Sequence, residues 1–275
     1  MSKELIYCRK APSLGDLEGK EIDAWGTLPY SGSTEAPTVF FGLYSLNDFH
    51  ALWRHKGKKW ILWAGSDITH FTNGYWLDSV GDIRIDPTPL AKWIQLNCES
   101  YVENEVEQRR LECFGIDSKV VPSFLGDVND YDVEYKHSGK PKVYASVSGD
   151  DFELYRWDGV ERLARENPGI EFHLYGNSKP WKSSCKNVIV HGRVPKERMN
   201  AEVKTMQGGL RLLKFDGFSE ILAKSVLWGQ WPISAIDYPH MLGVEEIARL
   251  HTLNRPNVEG RNHYLESLNK FPWTA

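Results

Sequence analysis

The chain has 275 residues, of which 41% are hydrophobic and 25% charged, and its formal net charge is −4. That length suits one large or two small α/β domains, and that composition buries a core, which argues against a disordered chain. The acidic balance argues against non-specific nucleic-acid binding, which needs a basic surface to release phosphate counterions. The densest basic cluster, Arg54, Lys56, Lys58 and Lys59, reads as a solvated helix end and loop. Cys8, Cys98, Cys113 and Cys185 have no CxxC spacing, so buried free thiols in a reducing compartment are expected. The N-terminus lacks a signal-peptide core, and no run of ~18 apolar residues occurs, so a cytoplasmic protein without a membrane span is expected. Most of the eleven tryptophans are expected in the core or at domain interfaces.

Residues 1–38 are rich in Gly, Pro and Ser and read as loops around a short strand at Leu5–Cys8. Thr38–Leu43 (TVFFGL) and Trp60–Trp63 (WILW) read as buried strands, and Leu46–His55 between them as a helix. This is a βαβ-type unit ending at Ala64-Gly65-Ser66-Asp67, a candidate cleft loop because ligands sit beyond the carboxyl ends of such strands. A strand is expected at Ile83–Ile85, mostly helix over 90–114, and a strand at Lys119–Pro122. Residues 126–141 are polar and rich in turn formers, as in an interdomain linker. Strands then alternate with helices: strands at Lys142–Val147, Ile170–Tyr175, Val188–His191, Gly209–Leu213 and Trp231–Ser234; helices at Tyr155–Glu166, Pro195–Met206, Ser219–Trp228, Val244–Leu253 and Tyr264–Leu268. Such alternation means an α/β protein with mainly parallel sheets flanked by helices.

The segment Gly209–Ser234 carries the chemistry. Asp216 and Ser219 are each able to cap the helix that follows, and Gly217 lets a ligand approach the backbone. A helix N-terminus attracts phosphate, and Arg211 and Lys214 flank the turn with charge to neutralise a diphosphate. An ordinary capped helix after a strand has the same appearance. In the first half, Gly65, Ser66 and Asp67 are expected to face the cleft; Asp67 either accepts a proton from an acceptor hydroxyl or caps its turn. His70 lies nearest that loop. No GxGxxG, GxSxG or Walker pattern is present, which argues against a dinucleotide oxidoreductase and other common α/β enzymes.

Asp216-Gly217-Phe218, Leu227-Trp228-Gly229 and Trp231-Pro232-Ile233-Ser234 resemble the donor-binding signature of retaining GT-B glycosyltransferases, especially the family-4 type. The stretches Tyr101–Asn104, Leu111–Ile116 and Val120–Ser123 are similar to that family's exit from its first domain, and Phe172–Gly176 and Val188–Val194 to its next strand-and-turn units. Two positions depart: Asp216 stands for the usual Glu, and Lys224 for the Glu that holds the donor ribose, with Glu220 four residues earlier. The resemblance implies two Rossmann-like domains: an acceptor domain at 1–122, shortened; a sugar-nucleotide domain at 123–245; and C-terminal helices at 246–275 that cross back to the first. It implies transfer from a UDP- or GDP-sugar to a hydroxyl, retaining and metal-independent, with no cofactor beyond the nucleotide-sugar co-substrate. The acceptor is a glycan, a lipid-linked sugar, a protein or a hydroxylated DNA base. Asp67, Arg156, Arg211, Lys214 and Asp216 are then catalytic candidates. Gly176, His191, Gly192, Val194, Gly217, Phe218, Ser219, Glu220 and Lys224 are donor-binding candidates, and Gly65, Ser66 and His70 acceptor-side ones. Lys224 also favours a second reading, a non-catalytic nucleotide- or sugar-binding protein on the same fold.

Overall fold

The computed structural model describes residues 4–15, 17–75 and 84–274. They form two compact units. Unit 1 comprises residues 1–127, 215–218 and 267–275; unit 2 comprises 128–214 and 219–266.

Unit 1 runs β1 (Tyr7–Lys10), α1 (Lys20–Trp25), β2 (Leu28–Pro29), β3 (Thr38–Phe41), α2 (Leu46–Arg54), β4 (Lys59–Leu62), α3 (Ser66–Thr72), α4 (Pro87–Asn97), β5 (Glu99–Val102), α5 (Glu105–Glu112) and β6 (Ser118–Val120). Its strands lie in the order β2-β1-β3-β4-β5-β6, every pair parallel. Continuous runs such as Val39-Phe40-Phe41 and Trp60-Ile61-Leu62 are buried because helices and loops cover both faces. On one face Phe40, Ile61 and Val102 pack with Phe49, Leu52, Trp63 and Ile94. On the other, Val39, Phe41, Trp60 and Tyr101 pack with Trp25, Phe271 and Trp273. Phe271 and Trp273 stack at 4.5 Å, and Trp273 meets Trp60 and Tyr101. Among the described residues most tryptophans are buried in the core, as expected, and Trp53 is exposed.

Unit 2 runs β7 (Lys142–Ser146), α6 (Trp157–Glu166), β8 (Glu171–Tyr175), β9 (Val188–Gly192), α7 (Lys196–Val203), β10 (Gly208–Arg211), α8 (Glu220–Leu227), β11 (Ile233–Ser234), β12 (Leu242–Gly243), a 3-10 helix (Val244–His251) and α9 (Val258–Ser267). The order is β12-β11-β10-β7-β8-β9, again parallel throughout. Gly208 and Gly209 let neighbours close in: a Cβ at Gly208 would strike the Trp231 carbonyl, and one at Gly209 would press on Ile221 of α8.

The α/β class and the parallel sheets are as expected; several elements differ. The helix expected over 90–114 is two helices separated by β5. Cys98 is already extended, with φ −134°, and Asn104 restarts the helix by accepting the Glu107 N–H at 3.0 Å. Helix α3 follows Gly65 directly, α1 and β2 occupy the stretch expected as loop, and β12 is added at the sheet edge. The helix expected at Val244–Leu253 is of the tighter 3-10 type. The strand expected at Ile83–Ile85 falls partly outside the described residues; the Ile85 N–H bonds to the Tyr75 carbonyl at 3.3 Å.

Candidate functional site

In unit 2 the chain places β8 and β9 on one side of β7, then β10 to β12 on the other. Ligands of open α/β sheets bind beyond the carboxyl ends of strands at such a reversal. Arg211 ends β10, and its guanidinium lies 4.7 Å from the ring of Tyr155, which belongs to the loop after β7. The reversal therefore brings these two loops together. Arg156, in that same loop, has left-handed backbone (φ 57°), is exposed, and pairs with Asp158 at 3.6 Å. Lys214 is exposed and lines a cavity of about 530 Å³ with Ser234, Asp237, Tyr238 and Glu245. Ser219 caps α8, its Oγ accepting the Leu222 N–H at 3.4 Å.

The turns after β8 and β9 complete this edge. Gly176 (φ 94°) and Gly192 (φ 74°) are both left-handed, and the Gly176 N–H bonds to the Gly192 carbonyl at 2.9 Å. A Cβ at Gly176 would strike the Val147 carbonyl, so only glycine lets these turns run beside the loop after β7. His191 stacks on Tyr175 at 4.2 Å and 6°, and its Nε2 shares a hydrogen bond with His173 Nδ1 at 2.9 Å. Burial lowers both imidazoles, His173 to about 4, so at neutral pH the pair is an uncharged flat surface. Val194 is half-buried in the turn that follows. On α8, Lys224 is buried and donates to Glu220 at 2.8 Å and to Asn200 Oδ1 at 3.3 Å. Lys196 reaches the same Glu220 carboxylate at 3.3 Å. Where the resemblance has an acid, the molecule has an ammonium whose acidic partner sits one turn earlier and is exposed.

The Asp216 segment is divided. Phe215–Phe218 groups with unit 1, whereas Lys214 and Ser219–Lys224 group with unit 2. In unit 1 these residues meet the carboxyl ends of β4 and β5. Gly65 (φ 91°) ends the turn after β4; a Cβ there would strike Gly217 N and crowd Asp216. A Cβ on Gly217 would strike Glu103 Oε2. Glu103 is buried; its Oε2 accepts the Phe218 N–H at 2.8 Å and its Oε1 accepts the Ser123 hydroxyl. The next residue, Asn104, donates to the Asp216 carbonyl at 2.8 Å. Arg110 of α5 lies 4.8 Å from the Phe215 ring.

Asp67, expected as a catalytic candidate facing the cleft, is fully buried and takes the capping role instead. Its carboxylate accepts the N–H groups of Leu43 at 2.9 Å, Ala64 at 3.0 Å and Ile68 at 2.9 Å, tying the end of β3 to the turn after β4. Burial raises it to about 7 against these bonds, and raises Glu103 to about 7 in the same way. Glu107, whose Oε2 accepts the Glu103 N–H at 3.0 Å, is raised well above the carboxylate range by burial and by Glu103. Ser66 and His70 are exposed and both meet Tyr44: its hydroxyl is 3.2 Å from Ser66 Oγ, and its ring 5.7 Å from the His70 ring. Sequence reasoning missed Tyr44, Glu107 and the role of Glu103. The nearest signal is Glu103-Asn104 directly after an apolar strand, where a helix cap but no buried acid is expected.

No protein-family model matches the chain, and no curated protein matches it. Solved structures do. TarM aligns at a TM-score of 0.57 with 12% identity, over 86% of this chain and 52% of that one. Sucrose-phosphate synthase from Thermosynechococcus elongatus aligns at 0.58 with 11% identity, over 84% and 69%. Anabaena HepE in complex with UDP-glucose aligns at 0.56 with 8% identity, over 96% and 94%. This chain thus spans about half the length of TarM and nearly all of HepE. At these identities the likeness is one of fold: the chain has the fold of GT-B glycosyltransferases, with two Rossmann-like domains.

Proposed function

We propose that the protein is a glycosyltransferase that moves a sugar from a nucleotide-diphosphate sugar to a hydroxyl acceptor. The observation that carries this reading is the near end-to-end likeness to a structure holding UDP-glucose, together with cations at the carboxyl edge of the unit 2 sheet. Arg211 ends β10, Lys214 follows it, and Arg156 follows β7. They meet the diphosphate, whose negative charge grows as the glycosidic bond breaks, and stabilise it as a leaving group. In this reading the transfer is metal-independent, needs no cofactor beyond the co-substrate, and proceeds with retention. The turns at Gly176 and at His191–Val194 face the nucleotide base, the neutral His191–Tyr175 stack giving that edge its flat floor. Glu220, held between Lys196 and Lys224, supplies the carboxylate for the ribose hydroxyls in place of an acid at 224. Asp216, Gly217 and Phe218 are assigned to the donor sugar by the resemblance of their motif, and Ser219 and the first N–H groups of α8 to phosphate. Gly65, Ser66 and His70 belong to the acceptor side with Tyr44. Glycans are the acceptor class put forward.

Calorimetric titration with UDP and GDP tests the reading. Arg211→Ala and Lys214→Ala are each expected to weaken nucleotide binding roughly 10-fold or more, the scale of one charge-assisted hydrogen bond. Absence of binding at millimolar nucleotide removes it. Lys224 at the usual acidic position favours a second reading, a nucleotide-sugar-binding protein without turnover. Tight nucleotide binding with neither transfer nor donor hydrolysis across broad donor and acceptor panels would establish that one.

A further inference from the structure

We propose that Glu103 is a positioning residue for the Gly217–Phe218 turn: a carboxylate of unit 1 that touches no substrate and fixes the backbone on which donor turnover depends. This rests on the glycosyltransferase reading above.

The geometry is specific. Glu103 lies 115 residues before Phe218 in sequence and accepts its N–H at 2.8 Å. Its other oxygen accepts the Ser123 hydroxyl, so both carboxylate oxygens are engaged. Its own N–H donates to Glu107 Oε2 at 3.0 Å, which pins the backbone that carries it. Asn104 takes a second backbone group of the same turn, the Asp216 carbonyl, at 2.8 Å. Two successive residues after β5 therefore hold two backbone groups within three residues. Packing leaves the turn no slack, because Gly217 has no room for a Cβ beside Glu103, nor Gly65 for one beside Gly217.

The arrangement is costly for stability alone. Burying a carboxylate without a bonded cation carries a desolvation penalty, and its charged neighbours are mostly acidic. Glu107 on α5 adjoins it, and Asp216 in the turn raises it further. Arg110, also on α5, bonds to Thr69 and Thr72 instead. A neutral side chain accepts an N–H without that penalty. What the carboxyl group adds is two acceptor oxygens on one side chain, one for the Phe218 N–H and one for the Ser123 hydroxyl, a gain for placement rather than for folding. Costly buried groups of this kind concentrate where function needs a fixed geometry.

The test compares the full-length wild type with Glu103→Gln, Glu103→Ala and Ser123→Ala. Two readouts are taken: hydrogen exchange of the Phe218 amide, and transfer or hydrolysis kinetics with UDP-glucose, UDP-N-acetylglucosamine and GDP-mannose. Glu103→Ala is expected to lose protection at Phe218 and to lower kcat roughly 10–100-fold, the scale of a misplaced active-site group, with KM for the donor within about threefold. Glu103→Gln keeps an acceptor in place and is expected to restore most of both. Ser123→Ala, which leaves the Phe218 bond intact, is expected to fall between and serves if Glu103→Ala does not fold. Unchanged Phe218 protection in Glu103→Ala, or lost protection with unchanged kcat, overturns the proposal while leaving the enzyme reading standing. A wild type that neither binds UDP or GDP nor consumes any donor overturns the enzyme reading, and the proposal with it.

Discussion

The carboxyl edges of the two sheets share one architecture and differ in chemistry. In unit 1 the edge is closed by its own backbone: Asp67 and Glu103 spend their carboxylates on N–H groups of Leu43, Ala64, Ile68 and Phe218. In unit 2 the edge carries Arg156, Arg211 and Lys214, and a cavity of about 530 Å³ adjoins the last of them. Parallel sheets fix where a site can form; here one such edge has its buried carboxylates taken up by backbone amides, and the other is lined by cations.

The contrast breaks most readily at Asp67. Asp67→Ala orphans two buried amides and a partly buried third, and is expected to cost about 3 kcal/mol or more in urea unfolding. A loss below about 1 kcal/mol with activity abolished would restore Asp67 as a catalytic group. Gly65→Ala is next, at roughly 2–3 kcal/mol, because it combines positive φ with a clash against Gly217. A third test is pH. Asp67 and Glu103 are raised from 3.8 and 4.5 to about 7, so the folded chain keeps protons that the unfolded chain has released in that window. Their contribution to stability is full below about 4 and is lost as pH rises through about 7. Melting temperature is therefore expected to rise on going from pH 8 to pH 5, and Glu103→Gln to flatten that rise. The smallest effect separates the two residues of the α8 pair. Glu220→Gln is expected to weaken nucleotide binding roughly 5-fold, and Lys224→Met by less than about 3-fold, since Lys224 acts through Glu220. Equal losses would make Lys224 a direct ligand contact.

Much of this fold was legible in the residues. Val39-Phe40-Phe41, Trp60-Ile61-Leu62 and Val143-Tyr144-Ala145 lie within strands because such runs suit a sheet covered on both faces. Strand β5 was not, because Glu99-Ser100-Tyr101-Val102 is short and lies between two helices whose periodicity runs past it. β12 has only two residues and leaves no pattern at all. In unit 2 the candidate cations and turn glycines stand at strand ends, where the order of elements in the sequence put them. The burial of Glu103 and Glu107 was not. Acids at the start of a helix read as solvated first-turn charges, and what buries Glu103 is a backbone segment 115 residues further along the chain.

Phe271 and Trp273 sit in the core of unit 1 against Trp25, Trp60 and Tyr101, which come from the first hundred or so residues. During synthesis, therefore, that core waits. Trp25, Trp60 and Tyr101 gain their last aromatic partners only once residues 271 and 273 have been made.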